Sequence, residues 1–402
     1  MRRPLDGIKV LDLTHGVAGP YCTMILGDLG CEIVKVEKPG RGDATRYMNV
    51  SDKFHAEIPR VGGDYFLAIN RNKRAITLEM KSPEGRKVCE ELAAWADVVV
   101  QNFRPGVTKR LGLDYESLRK FNPRLIYGNI SAYGTEGDMA EKAGMDIAVQ
   151  ARSGLLSITG AHGSKEPVRP GASIADFGGG IYLTTAIVTA LFDRERTGEG
   201  QEVSVSLLDA TMSMLINYSV AVMDGKAQLA PLGSGHPQLV PYQALPTADG
   251  HVVVATGTNK TYREFCVAIG EPGLADDPMF ASNQSRVKNR EALIEKLSVV
   301  FRRKTTAQWI EVLEAADVPC APVNDLQTAF DDLEATSPGM TSTIDHAGVG
   351  KLSQLGVPFR FSNCAGELRT PPPMLGEHTE QVLRELGRTD AQIEAMRAAR
   401  VI

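Results

Sequence analysis

Short β-branched runs alternate with helix-like stretches from Ile8 to Ser131, and this alternation constrains the chain more than any other feature. Ile8–Leu13 reads as a strand, Thr14–Pro20 as a glycine-containing turn, Tyr21–Leu29 as a helix and Cys31–Glu37 as a second strand. Arg74–Leu78, Asp97–Gln101 and Arg124–Ser131 continue the series, with Pro83–Ala96 as an intervening helix. Parallel strands need long crossovers, so strands that alternate with helices predict a parallel sheet covered on both faces. An α/β domain is expected.

Further on, Gly178-Gly179-Gly180 opens the apolar stretch Ile181–Phe192, which ends in charged residues and Gly198 and so reads as a helix. Gln201–Leu207 alternates like a strand. Leu208–Met223 reads as one Met-rich helix, its methionines expected to fill a core. The segment 225–240 holds Pro231, Gly233, Gly235 and Pro237 and marks a domain boundary. Beyond it, the strand His251–Ala255 and the helices Tyr262–Ile269, Arg290–Arg302 and Thr306–Ala316 predict a smaller α/β or α+β domain. From about 340 the chain turns strand-like and proline-rich, before a last helix at His378–Leu386.

Composition narrows the function. A chain of 402 residues has room for two domains. Its net charge of −5 offers no nucleic-acid surface. No targeting segment is recognisable at the start, and no apolar run approaches the roughly 20 residues that span a bilayer. The six cysteines are scattered with no C-x-x-C pair, which points to a reducing, cytoplasmic setting without disulfides. The seven histidines (His15, His55, His162, His236, His251, His346 and His378) lack ligand spacing, so no metal is expected. Motifs of serine hydrolases, zinc proteases and P-loop NTPases are absent.

The first strand, its glycine turn and Glu37 at the end of the second strand invite a dinucleotide reading, with Glu37 on a ribose hydroxyl. Only Gly16 and Gly19 stand in the turn, however, and no G-x-G-x-x-G is present. A plain βαβ turn accounts for the same residues. An NAD-dependent oxidoreductase stays open as an alternative.

Ser173-Ile174-Ala175-Asp176-Phe177-Gly178-Gly179-Gly180 offers a different chemistry. Asp176 just ahead of a helix can serve as its cap. The same place suits a carboxylate nucleophile: a helix start favours its ionised form, and Gly178 and Gly179 would let a thioester approach and offer N–H groups to an oxyanion. Cations gather upstream at Lys35, Lys38, Arg41, Arg46, Arg71, Lys73, Arg74, Lys81, Arg104, Lys109 and Arg110. Many fall in loops after predicted strands, where an open α/β sheet binds ligands, and they would suit a phosphorylated one.

Taken together, these motifs resemble the class III CoA-transferases, the family of formyl-CoA transferase and carnitine CoA-transferase. The resemblance rests on Pro4–Thr14, Ala18-Gly19-Pro20, Val34–Glu37, Gly42-Asp43, Asn72-Lys73-Arg74, Asn102–Gly106, the Asp176 segment, Arg196–Gln201 and Leu375–Thr379. It implies that Asp176 carries the acyl group and then CoA itself, through an acyl-aspartyl anhydride and an aspartyl-CoA thioester. It implies coenzyme A contacts at His15, Val17, Ala18, Lys38, Leu78, Lys81, Asn102, Phe103 and Arg110, with CoA thioester as substrate and no permanent cofactor. It also implies an interlocked homodimer. The large Rossmann-like domain would comprise 1–224 completed by 335–402, and the small domain 225–334.

α-Methylacyl-CoA racemases share the resemblance but carry Gly-His-Asp where this chain has Gly144-Met145-Asp146. Racemisation needs a second acid/base, and methionine carries no proton. Transfer is therefore favoured over racemisation. Formyl-CoA transferases have a glutamine where Val17 stands and a tetraglycine loop where this chain has Gly233-Ser234-Gly235-His236-Pro237. The run His236–Gln243 looks more like members that use succinyl-CoA and dicarboxylates, so a small dicarboxylate acceptor is expected.

Overall fold

The computed structural model describes residues 2–51 and 59–402, so His55 lies outside the described residues. The chain divides into two units. The first comprises Met1–Leu155, Pro170–Ala227 and Glu334–Ile402; the second comprises Leu156–Arg169 and Gln228–Leu333.

The first unit is built on a six-stranded sheet of β1 (Lys9–Asp12), β2 (Glu32–Glu37), β3 (Lys73–Thr77), β4 (Val98–Gln101), β5 (Ile126–Ser131) and β6 (Glu202–Ser206). All neighbours are parallel, in the order β3-β2-β1-β4-β5-β6. The crossovers contain α1 (Ala18–Asp28), α2 (Asp64–Ile69), α3 (Pro83–Trp95), α4 (Val107–Leu111), α5 (Tyr115–Leu118), α6 (Asp146–Arg152), α7 (Leu155–Ile158) and α8 (Ile174–Thr197). After β6 come α9 (Leu207–Met214) and α10 (Ile216–Met223). The chain starts mid-sheet, winds out to β3, returns to β4 and winds out the other way to β6. The direction switches between β1 and β4, which opens a crevice at their C-terminal ends.

Side-chain alternation along each strand feeds two cores. Leu11, Val34, Ile76 and Val99 point to the α3 face, against Val88 and Leu92. Val10, Ile33, Val98 and Ile126 point to the α1 and α8 face, against Cys22, Leu26, Leu183 and Ile187. The C-terminal helices Thr379–Glu385 and Asp390–Ala398 complete the first core with Val382, Leu383, Ile393 and Met396. Main-chain hydrogen bonds tie this return to the β3 edge: Asn72 N to Thr370 O, His378 N to Ala75 O and Glu79 N to Val401 O. Both ends of the chain thus build the large unit. An antiparallel hairpin, Thr341–His346 with Gly350–Leu355, lies on the way back.

The second unit has an antiparallel sheet of β7 (Tyr242–Pro246), β8 (His251–Ala255) and β9 (Cys320–Pro322) in the order β7-β8-β9. Helices Asn259–Ala268, Arg290–Phe301 and Thr306–Ala315 pack Phe265, Phe301 and Trp309 into its core. Segregated antiparallel strands and helices make it α+β. Leu156–Arg169, expected in the large domain, belongs here: Gly163 N donates to Pro231 O and Gly233 N to Gly160 O.

Three expectations need correction. The helix expected over Leu208–Met223 is two helices meeting at Leu215. Its methionines do not fill a core: Met212, Met214 and Met223 are exposed, and no residue of α10 is buried. Ile216, Val220 and Met223 leave an apolar surface exposed, and nothing among the described residues of one chain covers it. Finally, α8 is long and apolar enough by length and composition to cross a bilayer, although no such run was evident in the sequence. It packs instead against α1, α9, β5 and β6 as a core helix.

Candidate active site

The crevice between β1 and β4 is held shut at its base by one reciprocal pair. Asn102 Oδ1 accepts from His15 N at 2.9 Å, and Asn102 Nδ2 donates to His15 O at 2.6 Å. The His15 and Phe103 rings lie 5.7 Å apart. Behind Phe103, Gln101 bridges the strands, donating to Asn129 Oδ1 and accepting from Phe103 N, both at 2.8 Å. The two loops flanking the switch point are therefore one hydrogen-bonded piece.

Buried charges pin the first loop from below. Lys35 Nζ donates to Thr14 O at 2.7 Å and pairs with Asp43 at 3.1 Å, and Asp43 Oδ1 accepts from Gly16 N at 3.1 Å. Lys73 pairs with Asp12 at 3.2 Å, and the Thr23 hydroxyl donates to Asp12 at 2.6 Å. Burial alone would raise the Asp12 carboxyl, but Lys35, Lys73 and the Thr14 and Thr23 hydroxyls outweigh it and hold it below the carboxylate range. Asp43 behaves alike: burial raises it, and Lys35 with the Thr45 and Gly16 amides brings it down. Burial takes Lys73 down to about 8 against the pull of Asp12.

The nine expected coenzyme A residues all lie at the C-terminal edge of the sheet or in the elements leaving it. His15, Val17 and Ala18 follow β1, Lys38 follows β2, Leu78 and Lys81 follow β3, and Asn102, Phe103 and Arg110 follow β4. His15, Lys38, Lys81 and Arg110 are exposed, and Ala18 opens α1 with Val17 as its cap residue. Leu78 is different. Its side chain is buried in the core under α3 and its N–H donates to Glu37 O, so a ligand meets only its remaining main chain. The expected cations also divide: Lys35, Arg46, Arg71 and Lys73 are buried in ion pairs, Arg74 is half-buried between Glu32 and Glu385, and Lys38, Arg41, Lys81, Arg104, Lys109 and Arg110 are exposed. Spacing along the chain carries no sign of which cations a fold will bury.

Glu37 cannot hold a ribose. Its carboxylate is buried, taking Arg46 Nη2 at 2.7 Å, Arg46 Nε at 2.8 Å and Asp43 N at 2.8 Å. The dinucleotide reading loses its acidic residue.

Asp176 stands at the same edge, because α8 runs back antiparallel to the strands from the β5 side of the sheet to β6. The helix begins at Ile174, earlier than the glycine run implied, so Asp176 is its third residue rather than a cap ahead of it. Asp176 is half-buried. The neighbouring Phe177 ring packs edge-on against Tyr21 of α1 at 4.9 Å. The helix end is closed from outside, by α6: Asp146 Oδ1 accepts from Ala175 N at 3.0 Å and from Asp176 N at 3.3 Å.

The glycines do another job than expected. Gly178 and Gly179 are buried inside the helix, where each N–H bonds the carbonyl four residues earlier, so neither is open to an oxyanion or an approaching thioester. A Cβ on Gly178 would lie 2.2 Å from Met214 Cε, one on Gly179 2.5 Å from Leu207 Cδ2, and one on Gly180 2.8 Å from Ala18 O. Bare backbone here lets α8 seat against α9 and α1, with Gly180 beside Ala18 and Phe177 beside Tyr21. Met145, where racemases carry histidine, is 75% exposed beside this helix start.

A cavity of about 220 Å³ is lined by Gln101, Phe103, Tyr115, Tyr127, Asn129 and Glu202, among others. Tyr127 and Asn129 alternate with Gly128 and Ile130, which face α8, so this cavity opens on the opposite face of β5 from Asp176. Among the described residues no group of His, Cys, Asp and Glu is arranged to hold a metal ion.

Comparison with known proteins agrees with this geometry. The model of CoA-transferase family III matches residues 5–379. Succinyl-CoA:glutarate CoA-transferase of Mus musculus is 38% identical over 388 residues, covering 96% of this chain and 87% of that protein. Acetyl-CoA:oxalate CoA-transferase of Acetobacter aceti is 38% identical over 329 residues, covering 81% of this chain and 82% of its own. The crystal structure of a CAIB/BAIF family protein from Brucella suis superposes with a TM-score of 0.83 at 35% identity, covering 96% of this chain and all of that one. With its parallel sheet, its switch-point crevice and an aspartate at the start of α8, the chain belongs to CoA-transferase family III.

Proposed function

We propose that this enzyme transfers coenzyme A from succinyl-CoA, or a similar acyl-CoA, to a small dicarboxylate, with Asp176 as the covalent carrier. The observation that carries this reading is Asp176 itself. It is a half-buried carboxylate at the sheet edge where the loops of β1 and β4 meet, and the helix end it stands on is already capped by Asp146. The activity for which the Mus musculus relative is named supports a succinyl donor and a five-carbon acceptor. That of the Acetobacter aceti relative favours oxalate as the competing acceptor.

In this reading the exposed cations Lys38, Lys81 and Arg110 receive the phosphates, and the start of α1 at Val17 and Ala18 receives the pantetheine side of the ligand. An Asp176 oxygen adds to the thioester carbonyl, the C–S bond breaks, and CoA leaves as thiolate from an acyl-aspartyl anhydride. The thiolate attacks the Asp176 carbonyl of that anhydride and the donor acid departs as carboxylate, leaving an aspartyl-CoA thioester. The acceptor carboxylate repeats both steps in reverse and frees Asp176. No water enters and no redox partner is needed. A second copy of the chain belongs to this reading, because α9 and α10 carry an apolar surface that one chain leaves open.

Asp176→Ala is expected to abolish exchange between succinyl-CoA and glutarate or oxalate, with the fold intact by circular dichroism. Wild-type enzyme incubated with succinyl-CoA and trapped with hydroxylamine should carry its modification on the Asp176 peptide by mass spectrometry. Retained turnover in Asp176→Ala would remove the reading. Comparing glutarate with oxalate as acceptor separates the two substrate pairs.

A further inference from the structure

The start of α8 lacks a cap of its own. Ser173 makes no capping hydrogen bond with its side chain. Ile174 N reaches Ala172 O at 3.0 Å and Phe177 N reaches Ser173 O at 3.0 Å, so both are served by main chain. Ala175 N and Asp176 N lie between them, in the first turn where a helix offers its N–H groups no internal partner. One oxygen of Asp146 takes both. Its other oxygen accepts from Gln150 Nε2 at 2.6 Å, and Gln150 is fully buried one turn along α6. Gln150 thus braces Asp146, and Asp146 grips the main chain of the residue whose side chain does the chemistry.

We propose that Asp146 is a positioning residue for the transfer reaction. It fixes the main chain at Asp176 so that the carboxylate meets the thioester carbon in attack geometry, and Gln150 holds Asp146 to that task. The inference rests on the reading of Asp176 as the nucleophile. Its physical basis is the steep dependence of a covalent step on alignment: a displacement of about 1 Å at a reacting group costs on the order of 100-fold in rate. A half-buried aspartate on a helix start has two ways to shift, a side-chain rotation and a fraying of its own first turn. Packing of Phe177 on Tyr21 opposes the first-turn motion from one side, and Asp146 opposes it at the amides themselves. In the same reading coenzyme A is held by residues that follow β1, β2, β3 and β4, none of them on α6, so the two functions are separable.

The test is single-turnover formation of the trapped adduct on Asp176 from succinyl-CoA, without acceptor, set beside equilibrium binding of coenzyme A. Asp146→Ala is expected to slow adduct formation by about 50- to 100-fold while coenzyme A affinity stays within about threefold. Asp146→Asn keeps an oxygen facing the two amides and is expected to restore the rate to within about fivefold of wild type. Gln150→Leu, which leaves Asp146 present but unbraced, is expected to slow the step by about 5- to 20-fold and serves where Asp146→Ala does not fold. An unchanged single-turnover rate in Asp146→Ala or in Gln150→Leu overturns the proposal, as does an Asp146→Asn variant as slow as Asp146→Ala. Failure of the underlying reading looks different: wild-type enzyme would then show no adduct on Asp176 at all.

Discussion

Two glycine positions in α8, Gly178 and Gly180, differ in what a methyl group would strike. At Gly178 it meets the end of the Met214 side chain, which can swing aside; at Gly180 it meets the main-chain carbonyl of Ala18, which cannot move without shifting α1. Alanine in a helix interior is favoured over glycine by about 1 kcal/mol. Gly178→Ala should therefore change unfolding free energy by less than about 1 kcal/mol. Gly180→Ala should destabilise by about 1–3 kcal/mol, because overpacking against main chain outweighs propensity. Urea unfolding of the two variants checks the pair, and equal effects would mean that helix seating does not govern these positions. This also explains a residue-scale misreading. A glycine run beside a candidate nucleophile looks the same in sequence whether it opens space for a ligand or lets two helices touch. Asp176 stands out in the sequence by its motif, whereas the hold of Asp146 on its amide does not, since it spans thirty positions of sequence and depends on how α6 meets α8.

At the scale of elements, the strands of the large sheet were legible to within one or two residues. Val98-Val99-Val100 and Ile33-Val34 are apolar on consecutive positions, as strands buried on both faces tend to be. Helix ends were less so: α1 begins at Ala18, through Gly19 and Pro20, which read as turn residues in isolation. β7 and β9 were not foreseen, because Tyr242–Pro246 and Cys320–Pro322 each end in proline and are short, a pattern that fits sheet edges as well as loops. The helix α10 was foreseen and its surroundings misjudged. Ile216, Val220 and Met223 recur at helical spacing on one face and are 72%, 71% and 78% exposed. With a second copy as their partner, Val220→Asp should convert a dimer to monomer by sedimentation velocity. A wild-type protein that sediments as a monomer at micromolar concentration would contradict that assignment.

For the whole molecule, the buried ion pairs under the crevice set a response to acid. Asp12 and Asp43 titrate below their ordinary value of 3.8 in the folded state. The unfolded chain therefore takes up protons first as pH falls. Their contribution is fully present above about pH 4 and drains away below 3.8, so the midpoint in urea should hold steady from pH 7 to 5 on their account and drop below 4. Asp43→Asn should flatten that drop; an unaltered slope would show the network to be uncoupled from acid unfolding. Fold class and two-part organisation were legible from the alternation of elements, but the attachment of Leu156–Arg169 to the smaller unit was not, because no local signal marks a strand of chain that leaves one unit and comes back. The return of the C-terminal segment to the β3 edge has a consequence for synthesis. The ribosome delivers β1 first, yet the core it belongs to stays open until Val382, Leu383, Ile393 and Met396 have emerged. The large unit cannot mature as it is translated; it must wait, half-assembled, while the smaller unit between its two portions is made in full.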